Sequence, residues 1–190
     1  MSEKNFIADK HKIIFAGDVA AGKTTAISSV SDIPPMNTDV NASNPDEIGK
    51  KTTTVAFDYG EIKLPALQNK LRLYGLPGQK RFDFIWEMVC ENATGIILLV
   101  DNSKPSSLKE TEEYIEFFIP YIRDLGIPSI LGITKSDIAS YHNSREFQEI
   151  LLKEGVYIPV FSIDPREKSD ILLMINALLS QIEAKYFTRP

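Results

Sequence analysis

KIIFAGDVAAGKTTAISSV (Lys12–Val30) is the stretch whose reading decides the fold. KIIFAG (Lys12–Gly17) reads as a buried strand, and Thr24–Val30 as a helix. Between them stands GDVAAGKT, which fits G-x-x-x-x-G-K-[ST] in the strand–loop–helix setting that the motif requires. Backbone N–H groups of Val19 to Thr24 would wrap phosphate oxygens, helped by the positive helix N-terminus. Gly17 and Gly22 permit the tight turn and the close approach. Lys23 would reach the outer phosphates, and Thr24 would ligate Mg²⁺. Gly17, Asp18, Val19, Ala20, Ala21, Gly22, Lys23, Thr24 and Thr25 are therefore candidate nucleotide contacts. The plainer alternative is a glycine-containing turn with a solvent-facing lysine. The motif alone chooses neither GTP over ATP nor a switch over a metabolic enzyme.

Outward from this loop, short β-rich runs alternate with longer helical patterns. TTVAFDYGEIKL and KLRLYG read as two strands joined near Pro65, plausibly antiparallel, and Phe82–Glu91 as a short helix. GIILLVD, PSILGIT and YIPVFS read as further strands, the first two buried by their apolar runs. Helical periods cover Ser107–Leu125, Arg145–Glu154 and Glu167–Lys185. Ser107 with Glu110 suggests a capping box, and Pro120 should kink or interrupt its helix. The expected fold is α/β: a P-loop three-layer αβα architecture, with a mostly parallel six-stranded sheet and one antiparallel edge strand. No repeat or linker divides the chain, so residues 1–190 are expected to form one domain. Ser31–Lys51 is polar and rich in Pro and Asn, and reads as a long loop, functional or disordered.

Composition narrows the function. The 190 residues carry a net charge of −5, which argues against general nucleic-acid binding. The single cysteine, Cys90, suits a reducing compartment. MSEKNFIADK has no apolar signal core, no run approaches membrane-span length, and the common lipidation signals are missing. A cytoplasmic chain without a direct membrane anchor is expected.

Together, GDVAAGKT, GLPGQ (Gly75–Gln79) and TKSD (Thr134–Asp137) resemble the motifs of Ras-superfamily small GTPases. The likeness covers about Lys12 to Gln181 and is closer to the bacterial and archaeal branch, MglA-like or conservon-type. About sixty residues separate Gly78 from Asp137, in keeping with small-GTPase spacing. The resemblance implies that Asp137 accepts bonds from the guanine N1–H and 2-amino group, and that Lys135 lies along the base. Thr134 stands where asparagine is usual, which implies weaker bracing of the phosphate loop. DPR (Asp164, Pro165, Arg166) resembles the guanine O6 loop, but Pro165 has no N–H to offer. Asp164 as N-cap and Pro165 at the first helical position is an equally good reading.

By the same resemblance, Gly78 N–H meets the γ-phosphate and Gln79 orients the attacking water. Thr54, with Thr53 as the fallback, joins Mg²⁺, and the long loop becomes switch I. Gly75 replaces the usual aspartate. Asp58, on the adjoining strand, could substitute, although an ordinary surface acid is the simpler reading. The implied function is a GTP/GDP switch that uses Mg²⁺, with Gln79 and Lys23 catalytic and intrinsic hydrolysis slow. A roadblock-domain regulator and an unknown effector are the implied partners. Phe82, Phe84, Ile85 and Trp86 should be mostly core, with one or two open to a partner. Arg81 is more simply a solvated residue than a catalytic finger. His11, His142 and Cys90 read as structural. A P-loop ATPase or small-molecule kinase and a non-hydrolysing nucleotide-binding module are the competing readings.

Overall fold

A computed structural model describes residues 11–34, 36–42, 53–64, 70–79 and 82–187. The strands are β1 (Lys12–Ala16), β2 (Met36–Ala42), β3 (Thr53–Ile62), β4 (Leu71–Gly75), β5 (Gly95–Asp101), β6 (Ser129–Thr134) and β7 (Val160–Ser162). The helices are α1 (Lys23–Val30), α2 (Asp83–Cys90), α3 (Ser107–Ile119), α4 (Ser144–Lys153) and α5 (Lys168–Phe187). One sheet runs β2-β3-β4-β1-β5-β6-β7. The six expected strands are present, and β3 is the one that runs against the rest. β2 is a seventh strand beyond them, antiparallel to β3.

That seventh strand corrects the loop reading of the polar segment. Met36–Ala42 pairs along β3, ending with Asn41 opposite Thr54 and Ala42 opposite Thr53. MNTDVNA lacks the apolar run of a central strand. An edge strand can hold its place by backbone bonds with polar side chains, which hides it from hydropathy patterning. Residues 43–52, including Thr52, lie outside the described residues.

The sheet is buried on both faces, which explains the apolar runs in its middle: every residue of β5 and β6 is buried. α2, α3 and α4 pack on one face, where Ile85, Trp86, Ile115, Phe118 and Phe147 meet the even-numbered side chains Ile14, Ile96 and Leu98. α1 and α5 cover the other, where Ile27, Ile171, Met174 and Leu178 meet Ile13, Phe15 and Ile97. Pro120 ends α3 as expected. Without an N–H, proline cannot continue the α-helical ladder, and Pro120–Asp124 forms a wider π turn closed by Leu125 N–H to Pro120 O at 2.9 Å. The capping box at Ser107 does not form. Ser106 is the N-cap residue, and its hydroxyl donates to Glu110 Oε1 instead, while Ser107 is buried inside the first turn. β1 sits mid-sheet between β4 and β5, and the chain leaves β4 through α2 to cross to β5. The C-terminal end of β1 is thus a switch point of the topology, where open α/β sheets bind ligands.

Candidate functional site

The loop after β1 folds as a cradle for reasons visible residue by residue. Gly17 has φ 142° and Gly22 has φ 99°, both in the region that glycine tolerates best. A Cβ on Gly17 would stand 2.1 Å from Leu99 O, so no side chain fits there. Ala20 also takes a positive φ, 64°. Lys23 opens α1 and is buried, its ammonium donating to Gly17 O at 2.8 Å and Asp18 O at 2.7 Å. Burial pushes its pKa down to about 8, against the pull of Asp18 and Asp58.

Neighbouring loops brace the cradle. Lys104, after β5, binds Asp18 Oδ2 at 2.8 Å. Thr134 Oγ1 lies 3.0 Å from both Ala21 O and Val100 O. The weaker brace expected from a threonine is therefore still a brace, although one hydroxyl proton serves one carbonyl at a time.

Two cavities meet at this loop. One, of about 370 Å³, is lined by Ala20, Gly22, Lys23, Thr24 and Thr25 with Lys135, Asp137, Ile138, Asp164, Pro165 and Arg166. The other, of about 380 Å³, is lined by Val19, Ala20, Lys23 and Thr24 with Phe57, Asp58, Gly75, Leu76, Pro77, Gly78, Gln79 and Phe82. Ala20, Lys23 and Thr24 belong to both, so the two form one groove over the cradle. Every expected contact with a described side chain lines one of them, except Gly17, Asp18, Ala21 and Thr134, which build or brace the loop beneath.

At the far end of the first cavity, Lys135 (φ 60°) anchors its ammonium on buried Asp101 at 2.7 Å. Burial would raise the Asp101 carboxyl, but bonds from Lys135 and Ser103 outweigh it and hold it below the usual range. Asp137 is exposed and bonded to Arg166 Nη2 at 2.7 Å, and the same guanidinium grips Asp164. Those two carboxylates keep Arg166 firmly protonated. Asp164 is not an N-cap, which corrects that reading. α5 starts at Lys168, and Asp164 instead accepts from Arg166 N–H at 2.9 Å within the loop. Pro165 is buried with its ring against Gly22, where a Cβ would lie 2.8 Å from Pro165 Cγ.

The second cavity holds the residue that sequence reasoning undervalued. Asp58 pairs with Gly75 in the β3–β4 register, and its Oδ2 accepts from Thr24 Oγ1 at 2.6 Å. A Cβ built on Gly75 would stand 3.0 Å from that same Oδ2. A carboxylate thus stands beside the Thr24 hydroxyl, carried on the strand that adjoins Gly75. The available signal was position: Asp58 is the first of two acids, with Glu61, in the β-rich run directly before the glycine-bearing strand. Thr54 lies in β3 by its backbone, and its side chain is not described; Lys80 and Arg81 lie outside the described residues.

Gly78 rests on the cradle, since a Cβ there would be 2.5 Å from Val19 N. Gln79 is exposed at the groove. Beyond it, Ile85 and Trp86 are core, Phe82 and Phe84 are half-buried, and the exposed apolar side chain of α2 is Met88. Cys90 is buried, which pushes its thiol up to about 12. His142 ties Glu146 to Pro105 O, a structural bridge.

The fold is that of Ras/Arf-like small GTPases. A solved structure of the Arl6 BBS3 small GTPase from Trypanosoma brucei, with bound nucleotide analogue GppNp, shares the fold at a TM-score of 0.70 and 18% identity, covering 93% of this chain and 99% of that one. Residues 39–176 match the family described as conserved hypothetical ATP binding protein, and the chain belongs to that family. Uncharacterized protein MJ1339 of Methanocaldococcus jannaschii is 29% identical over 142 residues, 73% of this chain and 79% of the relative. Ras-related protein RabC of Dictyostelium discoideum is 23% identical over 181 residues, 92% of this chain and 84% of the relative. ADP-ribosylation factor-related protein 1 of Homo sapiens is 24% identical over 133 residues, 70% of this chain and 63% of the relative. No described helix is long and apolar enough to cross a membrane.

Proposed function

We propose that this chain is a GTP-binding switch that hydrolyses GTP slowly to GDP and phosphate. The observation that carries the reading is the continuous groove, with an acceptor carboxylate, Asp137, at one end and Gly78 and Gln79 at the other, joined over Lys23 and Thr24. Asp137 offers acceptors only, matching the N1–H and amino group of guanine. Adenine presents no such donor pair there, so the site selects guanine. The base enters by displacing Arg166 from Asp137. Both partners are largely exposed, at 63% and 54%, so that pair yields at small cost.

The cradle amides and Lys23 hold the phosphates. Thr24 and Asp58 are neutral and anionic oxygen donors already within bonding distance of each other, a donor set that suits Mg²⁺. Thr54 is a further candidate ligand from β3. Bound there, Mg²⁺ supplies positive charge to the outer phosphate oxygens. Gln79 orients the water for in-line attack, while Lys23 and the Gly78 N–H stabilise charge on the transferred group. Because Gln79 is exposed, few fixed contacts hold it before the partner arrives. Slow intrinsic turnover follows, with a roadblock-domain regulator as the partner of the MglA-like branch and an effector still to be found.

The family description favours a second reading, a chain that binds ATP, as a P-loop ATPase would. The matched stretch, residues 39–176, begins beyond the phosphate loop and includes Asp137. The switch reading is tested by single-turnover hydrolysis of GTP with wild type and Gln79→Leu. The variant should bind GTP as tightly but hydrolyse it at least about tenfold more slowly. Equal rates would leave a nucleotide-binding module in place of a hydrolytic switch.

A further inference from the structure

The segment from β4 to α2 is held by two aromatic side chains that none of the motifs includes. Trp86 Nε1 on α2 donates to Pro77 O at 2.9 Å. Tyr114 OH on α3 donates to the next carbonyl, Gly78 O, at 2.8 Å. The two rings stack, with centroids 5.2 Å apart and planes inclined by 22°. Both are nearly closed off from water, at 3% and 5% exposure. Burial, then the nearby acids Asp18, Glu110 and Glu113, push the Tyr114 hydroxyl pKa up, which keeps it a donor.

Geometry converts these two bonds into an orientation. In a trans peptide the C=O and the following N–H point in opposite directions, and no cis peptide occurs among the described residues. Drawing Pro77 O toward Trp86 therefore turns Gly78 N–H away from it. Drawing Gly78 O toward Tyr114 likewise turns Gln79 N–H away. On its other side, Gly78 rests against the Asp18–Val19 peptide, leaving no room for a methyl group. Two consecutive peptides are thus fixed from α2 and α3 on one side and from the phosphate loop on the other.

We propose that Trp86 and Tyr114 are positioning residues for the third phosphate: they fix the Pro77–Gly78 and Gly78–Gln79 peptides so that Gly78 N–H and Gln79 are aligned for the triphosphate state. This rests on the switch reading above. The residues act through the backbone and touch neither nucleotide nor water. GDP, which lacks the third phosphate, should be indifferent to them. A purely structural role would instead lower stability and weaken both nucleotides together.

Tyr114→Phe removes one hydroxyl, keeps the stacked ring, and leaves Gly78 O without its donor. The loss of this part-buried hydrogen bond predicts about a tenfold fall in single-turnover GTP hydrolysis and in affinity for a non-hydrolysable GTP analogue. GDP affinity should stay within about twofold on the same grounds. Trp86 is the only tryptophan in the chain, so its emission reports on the clamp directly. Exchange of GDP for the analogue should change that emission in wild type, and by a different amount in Tyr114→Phe. Trp86→Phe, which also keeps a ring, should repeat the kinetic effect. Unchanged hydrolysis and analogue affinity in both variants would overturn the proposal. So would equal losses for GDP and the analogue, which would mark a structural role. Failure of wild type itself to bind GTP would overturn the switch reading, and the clamp with it.

Discussion

Asp58 accepts a 2.6 Å hydrogen bond from Thr24, the hydroxyl that follows the phosphate-loop lysine, and it does so from the position opposite Gly75 in the neighbouring strand. A carboxylate therefore stands beside Thr24, the proposed metal ligand, although the strand that carries it in the small-GTPase pattern ends here in glycine. The geometry reads as a relocation across one strand pair. This arrangement makes Asp58 and Gly75 the two positions to vary.

Asp58→Asn keeps the size and removes the charge. Loss of an anion next to a divalent-cation site typically costs about ten- to a hundredfold in metal affinity. The Mg²⁺ concentration needed for half-maximal GTP hydrolysis should rise by that order, with little change in metal-free GDP binding. A magnesium titration of single-turnover rates decides it, and an unshifted midpoint would return Asp58 to the status of a surface acid.

Gly75→Asp alone should not help. Its Cβ would stand 3.0 Å from Asp58 Cβ, from Asp58 Oδ2 and from Ile27 Cδ1, and it would set two carboxylates side by side. Destabilisation of about 1–3 kcal/mol is expected from the crowding. The exchange Gly75→Asp with Asp58→Gly should recover much of the metal dependence lost in Asp58→Gly. Denaturant melts and the magnesium midpoint of the double variant measure this, and simple additivity of the two losses would count against the exchange.

Lys23 gives a pH signature. Its pKa in the free protein is lowered to about 8 by burial, and bound phosphates must raise it. Above about pH 8 binding then takes up a proton, so affinity is full below that pH and falls above it. GDP affinity should drop about tenfold between pH 7 and pH 9 from this group alone. Calorimetry across that range checks it, and a flat profile would mean the lysine is charged throughout.

Most of the sheet could be read from the chain because its middle strands are buried on both faces and so show as unbroken apolar runs, as in GIILLVD. Pro120 was legible for a similar reason, since its missing N–H has one consequence in a helix. β2 was not, because a polar edge strand is held by backbone pairing that leaves no hydropathy pattern. The groove ends were legible wherever a residue acts alone, as at Lys23 and Asp137. What escaped was relational: Asp58 gains meaning from its register with Gly75, and Asp164 bonds Arg166 where a helix cap was expected. The bonds from Trp86 to the Pro77 carbonyl and from Tyr114 to the Gly78 carbonyl join residues that spacing cannot connect.

The groove is proposed to read guanine, and the family description makes adenine the alternative to exclude. Calorimetric titration of GDP and of ADP into nucleotide-free protein with Mg²⁺ tests it most directly. A site built around the acceptor pair of Asp137 should prefer GDP by about 10⁴ or more, a margin that Asp137→Asn should largely erase while phosphate contacts persist. Equal affinities for GDP and ADP, or tighter binding of ADP, would overturn the guanine reading and favour an adenine nucleotide as the ligand.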